Sequence, residues 1–352
     1  MNSFKKVLFV APNHNNRKGG IASVLKTYSV EIEDFNFFPS IFFTSMLLNT
    51  VLFPINLISF CAYLIFIRRI KIIHIHGASK GSFYRKYIFF LLSKLFKKKV
   101  IYHIHGGKFH IFYSSSFYFI KTRIRRFINQ CDALVVLSEE WKDYYTKSFE
   151  QKKIFVVKNM IKNVEPKTKH NDSNGIVNLL FLGKIGVNKG IFDLIDSIKL
   201  NKKNLEGKIK LTVGGDGEAD QLKQLIVKHN LTGIVNYVGW VNEERKTKLL
   251  SNSHIMILPS YNEGLPISLL EGMSYSMPII STKVGGIPQI LKDSFNGKFV
   301  QPGNTNEIFE AIKFYIENKP LILEHGQKSY QLVQDYFPDK VMSSLEDIYQ
   351  SM

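Results

Sequence analysis

Cysteine is nearly missing from this 352-residue chain: Cys61 and Cys131 stand alone and form no pairing framework. A disulfide scaffold is therefore excluded, and a reducing cytoplasm suits the composition. No internal repeat or low-complexity tract occurs. A secretion signal is also lacking, because the apolar run from Val7 to Ala11 is short, directly follows Lys5 and Lys6, and reads as a first strand. Acid is scarce in one half only. Residues 1–160 hold 25 Lys/Arg against 8 Asp/Glu, whereas residues 161–352 hold 22 against 21, so almost all of the +18 net charge sits in the first half. In that half no carboxylate stands out as a covalent nucleophile.

What replaces acid there is a mixture of cations and aromatics. RKYIFFLLSKLFKKK and FYFIKTRIRRF interleave Lys and Arg with Phe, Tyr and Leu, a composition suited to a helix lying on an anionic bilayer. A solvated basic face over an ordinary core helix is the alternative. Nucleic acid, the other partner a basic surface implies, is not expected, because no reading motif is present. A second apolar stretch, Met46 to Ile67, has the length of a membrane span. Asn49, Pro54, Asn56 and Ser59 interrupt it, so the expectation is a buried or membrane-apposed helix, with a true span as the other reading.

The length is ordinary for two α/β domains, each large enough to bury a core. In the second half the pattern is strand, loop, helix, repeated. HIMIL, within Ser253 to Pro259, is a continuous apolar run of strand length; a polar loop with Glu263 and Gly264 follows, and after Pro266 the spacing Ile267, Leu270, Met273 is helical. Glu263 thus falls in a loop and Glu271 in the first turns of a helix, both near the carboxyl end of a buried strand, where open α/β sheets bind ligands. A helix N-terminus attracts phosphate, and a carboxylate accepts hydrogen bonds from the hydroxyls of a sugar or ribose. LLFLGKIGVNKG, Leu179 to Gly190, places Lys184 and Lys189 after another strand, where two cations can neutralise a diphosphate. KIKLTVGGDGE, Lys208 to Glu218, ends in glycines that allow close backbone approach, and VNYVGWV reads as a further strand ending at Gly239. These units imply a parallel sheet covered by helices on both faces.

In the first half, KKVLFVAP is a strand, and Gly19-Gly20 feeds a helix that starts near Ile21. Two H-x-H patterns follow, His74-Ile75-His76 and His103-Ile104-His105, each ending an apolar strand. Residues i and i+2 share one strand face, so each pair can present two imidazoles to a metal, as in a metal-dependent hydrolase. Such a site needs further ligands on later strand ends, and His170, His229, His254 and His325 show no comparable arrangement, so core or cleft histidines are the favoured reading. Lys158 to Gly175 has linker composition, and Pro338-Asp339 opens a last helix.

Taken together, GKIGVNKG, GGDGE and the two glutamates in their PS…EGLP…LLEGM…P frame resemble the nucleotide-sugar domain of the family 4 glycosyltransferases, retaining enzymes of the GT-B fold. The likeness spans essentially the whole chain. It implies two Rossmann-like, doubly wound α/β domains facing a central cleft: residues 1–160 for the acceptor, with helix 338–352 packing back on them, a linker at 161–175, and residues 176–337 for the nucleotide sugar. It implies transfer of a hexose or N-acetylhexosamine from a nucleoside diphosphate sugar, UDP favoured, and the basic, aromatic first half points to a lipid-linked or membrane-associated glycan as the acceptor. It implies no cofactor and no metal. Lys184 and Lys189 would meet the diphosphate, with the helix start near Gly264 and Leu265 and the glycine loops at Gly19, Gly20, Gly183 and Gly215. Glu271 would hold the ribose, Glu263 the sugar hydroxyls, and His105 would face the sugar near its reacting carbon, with His76 lining the same cleft. Trp240 to Asn242, Val241 among them, would lie near the base. Lysine at 184 and glutamine at 289 depart from the arginine and glutamate more usual in the family, and a lysine loses the bidentate fork. The location implied is cytoplasmic, peripheral on the inner face of the plasma membrane. An epimerase or hydrolase of the same fold, or a silent sugar-nucleotide module, is the competing reading.

Overall fold

The computed structural model describes residues 3–14, 19–43, 45–165 and 175–352. It divides into two compact units, Met1–Ile161 with Tyr336–Met352, and Lys162–Asp335. The first boundary falls next to the expected one. The second lies two residues before it, because the Ile161 amide donates to the Tyr336 carbonyl at 3.0 Å and keeps that residue with unit 1. Of the expected linker, residues 166–174 lie outside the described residues, while Val164 accepts a hydrogen bond from the Tyr330 hydroxyl and so belongs to unit 2.

Unit 1 is built on β1 (Val7–Pro12), β2 (Asn36–Ile41), β3 (Ile72–Gly77), β4 (Lys99–Ile104), β5 (Ala133–Val136) and β6 (Ile154–Val156), all parallel in the order β2-β1-β3-β4-β5-β6. Its helices are α1 (Gly20–Glu31), α2 (Met46–Val51), α3 (Phe53–Phe66), α4 (Gly81–Leu95), α5 (Phe109–Ser115), α6 (Tyr118–Gln130) and α7 (Glu139–Ser148), plus a C-terminal helix, Pro338–Gln350. Strand side chains alternate between faces, and here the two faces differ in chemistry. Ile73, Ile75, Tyr102 and Ile104 join an aromatic core under α3, α4 and α6, in which Phe60 meets Phe89 at 4.8 Å and Phe90 meets Phe127 at 4.6 Å. His74, His76 and His103 point to the other face, among Phe9, Tyr28 of α1 and Tyr349 of the C-terminal helix.

The apolar stretch from Met46 is two helices. Pro54, which has no amide hydrogen to continue a preceding turn, stands in the first turn of α3, and α2 ends just before it. No described helix is long and apolar enough to cross a membrane. The outer face of this layer is nevertheless apolar: Ile55, Ile58, Ile65 and Phe66 of α3 are exposed, as are Phe117, Tyr118 and Phe119 where α6 begins.

Beneath that layer lies an unusual charge. Lys86 of α4 is 1 % exposed and donates to Ser40 Oγ. Burial, with the Arg85 cation second, holds its ammonium well below the ordinary lysine value. We expect Lys86→Met to raise stability at neutral pH by about 1–2 kcal/mol, the scale of an imperfectly compensated buried polar group. The sign follows from linkage. Between the folded and unfolded values the unfolded chain binds more protons, so the wild-type protein gains stability as pH rises through that window, up to about 10.4. The variant's advantage should therefore shrink toward pH 10 in thermal unfolding; an unchanged or reversed gap would refute this account.

Unit 2 has β7 (Val177–Leu182), β8 (Ile209–Gly214), β9 (Val235–Tyr237), β10 (Ile255–Leu258), β11 (Ile279–Thr282) and β12 (Gly297–Val300), parallel in the order β12-β11-β10-β7-β8-β9. The third strand is shorter than expected, stopping at Tyr237 rather than Gly239, where φ is +73°. The covering helices are α8 (Ile191–Leu200), α9 (Lys202–Leu205), α10 (Ala219–Lys228), α11 (Glu243–Asn252), α12 (Ile267–Ser274), α13 (Ile287–Ile290), α14 (Thr305–Glu317) and α15 (Pro320–Val333). The chain runs outward from β7 to β9, then returns to build β10 to β12 on the other side. The connections after β7 and β10 therefore lead toward opposite edges of the sheet, and the strand ends at this reversal are where doubly wound sheets bind ligands. In unit 1 the equivalent reversal lies between β1 and β3.

Candidate functional site

The loops after β7 and β10 meet through the residues singled out from sequence. Lys189 Nζ lies 2.5 Å from Glu263 Oε1, and Ser260 Oγ donates to the same oxygen at 2.7 Å. The pair is sheltered: the Glu263 side chain is 7 % exposed. The backbone holds it in place, since the Tyr261 amide donates to the Asn188 carbonyl and the Thr282 hydroxyl to the Ser260 carbonyl. Gly285 completes the support. At its φ of +54°, a Cβ would stand 1.9 Å from the Glu263 carbonyl oxygen, so only glycine fits.

Glu271, in α12, pairs with a residue that the sequence reading missed. Lys246 of α11 bridges Glu271 at 2.6 Å and Glu243 at 3.0 Å. Burial raises the Glu271 carboxyl above its usual range, with Lys246 working against that shift. Lys246 is itself opposed by burial, yet the two carboxylates pull its ammonium upward. The only available signal was Asn242, whose side chain caps α11 by accepting from the Arg245 amide and so places Lys246 one turn inside a helix.

Three glycine-containing loops are stitched together beside these carboxylates. Gly183 donates to Gly214, Ile185 to Asp216 and Gly215 to Gly239 through backbone amides. Gly215 sits so close to Gly183 that a Cβ would meet its carbonyl oxygen at 1.8 Å, and one on Gly214 would strike Val241 at 2.6 Å. Lys184 leaves this junction exposed, with no hydrogen bond or ion pair among the described residues. Gly264 accepts from the Gly286 amide and Leu265 is buried, but helix α12 begins only at Ile267, with Pro266 as its cap. Unit 2 therefore gathers one exposed cation, two carboxylates each held by a lysine, and backbone brought near the surface by glycine.

Unit 1 presents a second cluster. Gly19 (φ +117°) and Gly20 open α1, while residues 15–18 of that loop lie outside the described residues. The four histidines of the H-x-H patterns form one stack, because the register sets His103 beside His76 on neighbouring strands. Ring centroids are 4.4 Å apart for His74 and His76 and 4.0 Å for His103 and His105. His105 Nε2 is 2.8 Å from His76 Nδ1. Burial pushes His105 down to about 4, despite the opposing pull of Asn159, and His74 down to about 3. His76 and His103 are likewise held well below the ordinary imidazole value, first by burial and then by the neighbouring imidazoles of the stack. Burial thus favours the uncharged form of all four rings. Sequence reasoning weighed each pair separately and so overlooked that adjacent strands make a single cluster of them.

Residues 162–331 match the family model described as glycosyl transferases group 1, and residues 22–162 match that of glycosyltransferase family 4. The chain belongs to this family. An uncharacterized glycosyltransferase of Methanocaldococcus jannaschii is 28 % identical over 174 residues, 49 % of this chain and 48 % of the relative. The chain thus spans about half the length of that relative. Among solved structures, a sucrose-phosphate synthase from Thermosynechococcus elongatus superposes with a TM-score of 0.81 at 15 % identity, over 98 % of both chains. HepE of Anabaena, solved with UDP and glucose, gives 0.76 at 15 % identity, again over 98 % of both. These likenesses establish the fold, two Rossmann-like α/β domains of the GT-B type.

Proposed function

We propose that this member of the family is a retaining glycosyltransferase. It moves a hexosyl or N-acetylhexosaminyl unit from a nucleoside diphosphate sugar, a UDP-sugar favoured, to a lipid-linked or membrane-associated glycan in cell-surface polysaccharide synthesis. The observation that carries the reading is the pairing of Lys189 with Glu263 at the switch point of unit 2, with exposed Lys184 in the loop after β7 and Glu271 in α12, the helix that follows β10. Preorganised cations stabilise the charge that develops as a diphosphate departs, without a metal. In this reading Lys184 and Lys189 receive the diphosphate, Glu263 holds the sugar hydroxyls, Glu271 holds the ribose, and His105 faces the transferred sugar. The acceptor hydroxyl attacks the anomeric carbon on the face from which the diphosphate leaves. The sugar–phosphate bond breaks, and the leaving phosphate takes the hydroxyl proton. HepE, solved with UDP and glucose, supports a UDP donor.

The membrane half of the proposal rests on unit 1. Phe66 and Tyr118 are 80 % and 86 % exposed, and Arg123, Arg125 and Arg126 follow on α6. Apolar side chains beside cations suit an anionic leaflet, at about 1 kcal/mol per basic residue near the surface. Peripheral attachment to the cytoplasmic face follows. The test is nucleotide release from UDP-, GDP- and ADP-sugars with membrane lipid extract in anionic vesicles. We expect release only when lipid is present, and at least about tenfold less with the triple Arg123→Glu, Arg125→Glu, Arg126→Glu variant at limiting vesicle. Release without acceptor, or a rearranged donor, would point to the hydrolase or epimerase reading. Donor binding with no turnover would leave a silent module.

A further inference from the structure

Four ring nitrogens of the histidine stack are buried without a hydrogen-bond partner among the described residues: Nε2 of His74, Nε2 of His76, and both nitrogens of His103. One such atom is costly, and four in one cluster ask for a shared partner. The arrangement suggests which kind. His74, His76 and His103 are fully buried, and each offers a nitrogen within 4.8 Å of the other two. The remaining nitrogens are committed elsewhere. His74 Nδ1 is 2.6 Å from the Tyr349 hydroxyl, and His76 Nδ1 is 2.8 Å from His105 Nε2. Outer partners of this sort fix the tautomer and orientation of a metal-bound imidazole.

We propose that His74, His76 and His103 bind one transition-metal ion of the zinc type, through Nε2 of His74 and His76 and one nitrogen of His103. Three imidazoles are a recognised ligand set for zinc and leave a fourth position for a small molecule. No carboxylate belongs to the cluster, so hard ions such as magnesium or calcium are disfavoured. The stacked rings must fan apart by side-chain rotation, bringing each nitrogen to about 2.0 Å from the ion. Bound there, the ion would tie β3 to β4 and hold His76 as the donor to His105. The proposed sugar transfer has no step through it.

The experiment uses the full chain, stripped with chelator and titrated with Zn²⁺. We expect one ion per chain, a rise in Tm, and an absorption-edge spectrum showing imidazole nitrogens at about 2.0 Å. His103→Ala should weaken binding by more than about 100-fold, since even outer-partner losses cost 10- to 100-fold. If circular dichroism shows that variant unfolded, Tyr349→Phe keeps all three ligands and should weaken binding by about 10- to 100-fold. Absence of stoichiometric uptake, or a coordination shell without imidazole, overturns the proposal. So does equal affinity in a folded His103→Ala variant, or in Tyr349→Phe where that variant takes its place.

Discussion

Glu271→Ala is expected to weaken UDP binding by about 100-fold or more, because a carboxylate holding two ribose hydroxyls loses charged hydrogen bonds of about 1.5–3 kcal/mol each. The structure adds a reason for a large effect. Lys246 engages one Glu271 oxygen and is largely buried, its side chain 17 % exposed. Removing the carboxylate takes away the acceptor for the ribose hydroxyls and leaves the Lys246 ammonium leaning on Glu243 alone. Glu271→Gln separates the two contributions: it preserves shape and some hydrogen bonding but not charge, and should fall between wild type and alanine. Isothermal titration with UDP on the folded variants is the measurement. A dissociation constant within threefold of wild type for Glu271→Ala would remove Glu271 from the nucleotide site.

Glu263→Ala should act chiefly on turnover, lowering kcat by about 10²- to 10³-fold, the scale of losing one preorganised group at a developing charge. Lys189→Ala should do nearly the same. The two side chains share a 2.5 Å contact, so each substitution also releases the other partner. Their effects should therefore fail to add, with the double variant no worse than the poorer single by more than a few-fold. Steady-state kinetics with saturating donor test this. Fully multiplicative losses would mean that the carboxylate and the ammonium work independently, and the assignment of a coupled pair would fall.

The strands that bear the site were legible because buried parallel strands are near-continuous apolar runs: VLFVA, IIHIH, LLFL and IMIL each correspond to one. Glu263 and Glu271 were legible for the same reason, since they follow such a run at a change of period. Lys246 was not. It lies in EERKTKLLSN, a polar helix where any of three cations would read as solvent-facing, and its role depends on how α11 lies against α12. The histidine stack was half legible: each H-x-H pair announces one strand face, but only the β3–β4 register joins them. The break of the Met46 stretch was signalled by Pro54, and the early end of β9 by Gly239, both local backbone effects that apolar content overrode.

The hydrogen bond from Ile161 to Tyr336 marks where the chain leaves unit 1 and where it comes back. Unit 2 is thus contiguous in sequence and unit 1 is not. During synthesis, all of residues 162–335 emerge before Tyr349, the residue that covers Phe9 and His74, has been made. The half that begins first must finish last. Until then, the patch of its sheet under Tyr349, with Phe9 and His74, stays open to water and to chaperones, while the later half already has its complete sequence and can fold as a domain.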